Sequence, residues 1–354
     1  MSNPLLGKKK RDQIVAIDLG SRTSKGVLLQ RKGKEESFTL ARFTVQDVPV
    51  HEKALTTEML TEHLRKISEA LGAKTKQVTI SVGAQDSVLR STEFPLMPVE
   101  EMRQMLKFNS KNYLQQELND YVFDCYIVPP KPVAKMDAPK GTVTKYKVWV
   151  GGAKRQYLTD LQAAVKSAGL VADQVALSLL GPVNAFELAQ TEMFTKEVIA
   201  LVDLGFKATT ISIMAYGELA LNRVVEIGGD KLTSGLSEAM GISYGEAEGI
   251  KCGMPGEVEA HLQPLVNALG RELRASVAFF EHQFDRSVSQ VLVSGGAARS
   301  QFILDNLQSE LGVPCKTWIP TSSVELALPS AQMTDIEANT SQLAVAMGAA
   351  AMSL

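Results

Sequence analysis

Ile14-Val-Ala-Ile-Asp-Leu-Gly-Ser-Arg-Thr-Ser-Lys25 is the stretch on which the reading of this chain turns. Residues 14–17 are an apolar, largely β-branched run, as a central strand buried on both faces requires. Asp18 puts a carboxylate where that strand ends, Gly20 and Ser21 make a turn, and a second apolar run follows over 26–29. A buried strand ending in a carboxylate and a small-residue turn can gather backbone N–H groups, a hydroxyl and a lysine ammonium around a phosphate. The carboxylate can then hold a hydrated metal ion beside it. Taken alone, Asp-Leu-Gly after a strand serves equally as plain strand-to-turn punctuation.

A second copy changes the weight of the first. Residues 198–213 read Val-Ile-Ala-Leu-Val-Asp-Leu-Gly-Phe-Lys-Ala-Thr-Thr-Ile-Ser-Ile, again an apolar strand, Asp-Leu-Gly, a polar turn and a strand, here carrying Thr209 and Thr210. The two hairpins imply two related half-domains, in the manner of an internal repeat. A third glycine turn, Val291-Leu-Val-Ser-Gly-Gly-Ala-Ala298, follows a strand and opens a helix, a common place for a nucleotide to approach the backbone.

The chain has 354 residues, enough for two ordinary domains, and its 45% apolar content is enough for sizeable cores. A net charge of −2 argues against a general nucleic-acid binder. Cys125, Cys252 and Cys315 lie far apart without metal-ligand spacing, as in a reduced cytosolic protein, and His261 and His282 ride one long helix without making a metal site. No signal peptide or membrane span is expected: Lys8 to Arg11 is a solvated basic lead-in, and the apolar stretch 343–354 is too short to cross a bilayer and reads as a buried helix.

In chain order, the pattern predicts a hairpin over 14–30, a strand over 37–45, an amphipathic helix over 54–71 closed by Gly72 and a strand over 78–82. A small α+β unit follows across 84–170, with strands at 86–94, 121–128 and 142–150 and helices at 100–118 and 154–168. Beyond it come a strand at 171–176, a helix over 178–192, the second hairpin, a strand at 218–225, and helices at 231–240, 243–251 and 257–284. The stretch 321–339 reads as irregular. Met102/Met105 and Phe279/Phe280/Phe284 read as core, and the lysine-rich loop 130–147 as a solvated surface.

Two Asp-Leu-Gly hairpins, the Ile227-Gly-Gly-Asp230 turn, a helix pair and a late Gly-Gly turn, in this order, resemble the actin-like ATPases. Within that group the sequence is most similar to the PilM family of type IV pilus assembly, relatives of the cell-division protein FtsA. The short Leu-Leu-Gly-Lys-Lys-Lys lead, Ile227-Gly-Gly-Asp-Lys-Leu-Thr-Ser-Gly-Leu236 and Ser243-Tyr-Gly-Glu-Ala-Glu-Gly-Ile-Lys251 carry that resemblance. It implies an α/β, actin-like ATPase fold of two duplicated ribonuclease-H-like halves with an inserted small α+β subdomain. Residues 1–13 are then a basic lead-in. Residues 14–83 and 171–190, completed by 341–354, make the first half, 84–170 the insert and 191–340 the second half.

By the same resemblance, Asp18, Gly20, Ser21, Arg22, Thr23 and Lys25 make a first phosphate loop, and Asp203, Gly205 and Thr209 a second facing it across a cleft. Asp18 and Asp203 hold Mg²⁺ through water, and Asp203 lies near the attacking water. Gly228, Gly229 and Asp230 border an ATP, Gly295 and Gly296 pass under its adenine, and Glu248 and Lys251 touch ribose and base or form a surface ion pair. The implied role is a cytoplasmic, ATP-binding adaptor, at most a slow ATPase. It sits at the inner membrane by docking the N-terminal tail of a PilN-like protein in a groove beside the insert. Other pilus or secretion proteins and self-association stay open as contacts. An FtsA-like filament protein and a small-molecule kinase of the same superfamily are the alternatives.

Overall fold

The computed structural model describes residues 11–33, 37–49, 55–129, 145–253 and 255–354. The basic lead-in up to residue 10 and Lys131, Lys135 and Lys140 of the lysine-rich loop lie outside them. The first apolar runs form β1 (Gln13–Asp18) and β2 (Thr23–Arg31), antiparallel with Asp18 opposite Lys25, and β3 (Phe38–Asp47) continues the sheet. Helix α1 (Thr57–Leu71) crosses to β4 (Gln77–Val82), which lies parallel to β1. It begins where the Thr56 side chain accepts the Met59 N–H and ends at Gly72, in the left-handed region at φ 57°. Its stripe of Leu60, Leu64, Ile67 and Leu71 is buried against Val15, Ile17, Val78 and Ile80 on the outer face of the sheet.

The insert is smaller than the sequence predicts. β5 (Ser87–Pro95), α2 (Val99–Leu114), β6 (Tyr121–Ile127) and β7 (Lys145–Lys154) form a three-stranded sheet, order β5-β7-β6, with its own core of Phe94, Met102, Leu106, Cys125, Val148 and Val150. Helix α3 (Arg155–Ser167), assigned to the insert by sequence adjacency, instead buries Leu161, Ala164 and Val165 beside α1 on the first half and leads into β8 (Val171–Leu177), parallel to β4. Lys147 is not a solvated loop residue either. It sits in β7, and its ammonium donates to the carbonyls of Leu219 (3.0 Å) and Ala220 (2.8 Å), anchoring the insert to the second half. Burial there holds its pKa below the usual lysine value.

The helix expected over 178–192 breaks into a 3-10 turn, α4 (Gly181–Ala189) and α5 (Thr191–Lys196), because Gln190 is not helical. The second half follows: β9 (Val198–Leu204), β10 (Thr209–Ala215), β11 (Glu218–Val225), α6 (Gly229–Met240), α7 (Tyr244–Gly253), α8 (Pro255–Phe284), β12 (Gln290–Gly295), α9 (Gln301–Leu311) and β13 (Cys315–Thr317). Its sheet has the order β11-β10-β9-β12-β13, with α6, α8 and α9 on its outer face. On α8 Phe280 is buried, but Phe279 and Phe284 are exposed rather than core. After β13 the chain returns to the first half, earlier than the boundary at 340. β14 (Glu325–Leu326) pairs parallel with β3, and α10 (Ser330–Asn339), in a stretch expected to be irregular, is held by Gln332 on the Phe43 backbone.

The last helix, α11 (Ala344–Ala351), and α4 fill the space between the inner faces of the two sheets. One core spans both halves there: Ile14, Ala16, Val27 and Leu29 from the first sheet, and Ile199, Leu201, Met214 and Leu292 from the second. The helices can approach closely because they meet at glycines. A Cβ on Gly348 would overlap the carbonyl oxygen of Gly181, and one on Gly181 would press on Val345. Gly348→Ala is therefore expected to destabilise the protein by about 2–4 kcal/mol, as overpacking against backbone does. Gly241→Ala, at a helix end with open space around it, tests only backbone strain and costs about 1 kcal/mol. Urea unfolding of the two variants side by side checks the difference.

Candidate functional site

Strand alternation decides what meets between the halves. Asp18 shares the inner face of the first sheet with Ile14 and Ala16, and Lys25 opposite it shares that face with Val27 and Leu29. Asp203 shares the inner face of the second sheet with Ile199 and Leu201, and Ser294 on the parallel neighbour β12 lies level with it. Polar tips thus stand at the carboxyl ends of β1 and β9, above a common apolar core. In sheets with parallel strands that is where ligands bind.

The two turns repeat each other in detail. Lys25, the partner of Asp18 across the hairpin, lies seven positions after it, and Thr210, the partner of Asp203, lies seven positions after that aspartate. Gly20 and Gly205 each follow their aspartate by two, and a Cβ on either would collide with the carbonyl oxygen three residues on, of Thr23 or Ala208. Lys25 Nζ lies 3.7 Å from Asp18 Oδ2 and donates to the Thr23 carbonyl at 3.1 Å, and Ser294 Oγ donates to Asp203 Oδ1 at 2.9 Å. Ser21 and Arg22 are exposed at the rim.

The carboxylates feel each other. Burial, opposed by the Lys25 ammonium and reinforced by the negative charge of Asp203, pushes the Asp18 carboxyl up to about 6. Burial raises Asp203 too, against the Ser294 hydrogen bond and the charge of Lys25. Two buried carboxylates with one nearby ammonium are a donor set short of positive charge. Among the described residues no group of three or more His, Cys, Asp or Glu could hold a metal ion directly. The pair fits a small cation that keeps its own water, such as Mg²⁺, better than a dehydrated one.

Thr209 needs correction. It pairs with Leu204, is fully buried on the outer face, and donates its hydroxyl to the Ile227 carbonyl at 2.6 Å. Thr210 carries the hydroxyl on the Asp203 face; the repeated spacing of seven was the signal for it. The Gly228-Gly229-Asp230 turn packs onto the second Asp-Leu-Gly turn: Gly229 N–H donates to the Gly205 carbonyl and Asp230 N–H to that of Phe206. Gly228 has no room for a Cβ against those same carbonyls. The Asp230 carboxylate is taken by Lys207 (2.7 Å) and Tyr244 (2.9 Å). Burial raises its pKa, but these two bonds outweigh that and hold it low.

Glu248 and Lys251 form more than a surface ion pair. They are 2.6 Å apart and partly buried, and both bond the Thr233 hydroxyl. Arg22 reaches over from the first half, with Nη1 3.2 Å from Glu248 and its guanidinium 5.2 Å from the centre of the Phe206 ring. Gly295 holds a left-handed φ of 97° against the Leu204 backbone, whereas Gly296 opens on free space. Asp18, Lys25, Asp203, Ser294 and Thr210 therefore lie on the two facing inner sheet surfaces, Arg22 links the halves through Glu248 and its partner Lys251, and Thr209 lies on the outer face. No helix of the described residues is long and apolar enough to cross a membrane.

A protein family described as type IV pilus assembly protein PilM matches residues 16–353. A solved PilM–PilN type IV pilus biogenesis complex is similar over 97% of this chain and 99% of its own, with a TM-score of 0.80 at 20% identity. The ethanolamine utilization protein EutJ from Carboxydothermus hydrogenoformans is similar over 98% of this chain and 91% of its own, with a TM-score of 0.54 at 15% identity.

The charge crowding has a pH signature. A carboxyl whose pKa is raised on folding lowers stability once it ionises, so stability of the ligand-free protein is expected to fall as pH rises from about 4 through about 6. Asp18→Asn removes that ionisation. It is expected to flatten this part of the profile and to raise the ligand-free Tm at pH 7.5 by about 2–5 °C. Thermal unfolding followed by fluorescence across pH 4–8 measures both.

Proposed function

Since the chain belongs to the PilM family of type IV pilus assembly proteins, we propose that it is a nucleotide-clamped adaptor of a pilus or related secretion assembly. It binds Mg-ATP between its halves and docks the cytoplasmic tail of a PilN-like inner-membrane protein. The observation that carries this reading is that the two Asp-Leu-Gly turns, one from each half, bring two buried carboxylates within reach of each other's charge with the Lys25 ammonium beside Asp18. The solved relative named as a PilM–PilN complex supports the partner.

In this reading Asp18 and Asp203 hold the hydrated cation, whose charge neutralises the polyphosphate. Lys25 faces the phosphates from the first half and the Thr210 hydroxyl from the second. Gly296 leaves space for the base, and Glu248 with Lys251 faces the ribose. Ser294 fixes the Asp203 carboxylate so that it can orient a water at the terminal phosphate. A single carboxylate shared with a cation is a weak base, so hydrolysis is at most slow. A ligand that contacts both halves stabilises the closed arrangement by its extra affinity for it, and so biases the surface offered to the partner. The protein then works in the cytoplasm and reaches the inner membrane through that partner.

Asp18→Ala and Asp203→Ala are each expected to weaken Mg-ATP binding at least about tenfold, measured by calorimetry; wild-type affinity in both would end the reading. The immobilised N-terminal tail of a PilN-like protein is expected to retain the full chain, and to retain more with Mg-ATP than without. ATP-dependent sedimentation of polymers would favour the filament protein instead, and robust phosphate transfer to sugars the kinase.

A further inference from the structure

The repeat that places Ser294 beside Asp203 places Ser81 beside Asp18. β4 runs parallel to β1 with Ser81 level with Asp18, as β12 runs parallel to β9 with Ser294 level with Asp203. Side chains that are level on adjacent parallel strands share a face, so both serines look into the space between the halves. The backbone of Ser81 is already tied to the turn, its carbonyl accepting the Leu19 N–H at 3.4 Å. Two residues earlier on the same face, the Thr79 hydroxyl has the Ser353 hydroxyl as partner at 3.1 Å.

The two serines differ in one respect. Ser294 is bonded to its aspartate, whereas the Ser81 hydroxyl is fully buried and has no hydrogen-bond partner among the described residues. A buried hydroxyl without a partner lowers stability, and an alanine would occupy the position without that cost. Its use therefore lies in a state that supplies the missing partner. Asp18 beside it has the Lys25 ammonium 3.7 Å from its Oδ2.

We propose that Ser81 is a positioning residue of the cation site: its hydroxyl holds a water of the hydrated cation on the Asp18 side, matching the place of Ser294 on the Asp203 side. This rests on the metal–nucleotide reading of the cleft. Ser81 touches neither the nucleotide nor the reacting atoms. It fixes the shell through which Asp18 acts, and it makes the cation's surroundings a carboxylate and a hydroxyl from each half.

The test compares wild type, Ser81→Ala and Asp18→Asn, using ADP and ATP as nucleotides and Mn²⁺ as a paramagnetic stand-in for Mg²⁺. Free Mn²⁺ is counted by electron paramagnetic resonance, and nucleotide affinity by calorimetry with Mg²⁺ and with EDTA. Ser81→Ala is expected to leave the ligand-free Tm unchanged or raised, and to weaken Mn²⁺ binding about three- to tenfold. It should weaken ATP binding with Mg²⁺ by a similar factor and leave binding in EDTA unchanged. A structural role would lower the Tm or weaken both nucleotide measurements equally, and either result overturns the proposal, as does wild-type Mn²⁺ affinity in Ser81→Ala. Failure of the underlying reading is separately visible: wild type would then bind no Mn²⁺-nucleotide, or Asp18→Asn would bind it as well as wild type.

Discussion

Two like charges are held close together in a buried place, and the rest of the architecture is arranged so that this can be. Asp18 and Asp203 stand at the ends of central strands whose preceding residues form one continuous apolar core between the sheets. Moving either carboxylate away would mean pulling Ile14, Ile199 or Leu201 out of that core. A fully buried side chain of that size is worth about 1.5–3 kcal/mol, so several together outweigh the repulsion at the tips. The strain of the site is thus carried by apolar packing a few residues below it.

The halves match in backbone and differ in charge. The glycine two positions after each aspartate, the partner seven positions on and the serine on the parallel neighbour strand occur in both. Yet the partner is an ammonium in the first half and a hydroxyl in the second. The duplication therefore produces a pair of turns alike in backbone and one-sided in electrostatics, with the Lys25 ammonium beside Asp18 and the Thr210 hydroxyl opposite Asp203.

How much of this could be read from the sequence follows from how local each cause is. Both hairpins, α1 with its Gly72 cap and the long α8 were legible because a run, a stripe or a turn residue specifies each within a short window. The choice between Thr209 and Thr210 was not, because it depends on strand parity, which the register across the hairpin sets. Helix α10 was invisible for a different reason: Ile336 is its only buried residue, so it has no stripe to read. The place of α3 beside α1 and the anchoring of Lys147 depend on distant segments, about which neighbouring residues carry no information.

Lys147 has a wider consequence. The insert is joined covalently to the first half through β4 and α3, yet its ammonium is bonded to two carbonyls of β11 in the second. It spans the molecule as a strut does, and the halves cannot swing apart as rigid blocks without breaking those bonds or bending the insert. Whatever is gripped by the insert and whatever is gripped in the cleft must then act on one shared geometry. By linkage, a ligand held at either place would change affinity at the other by the same factor.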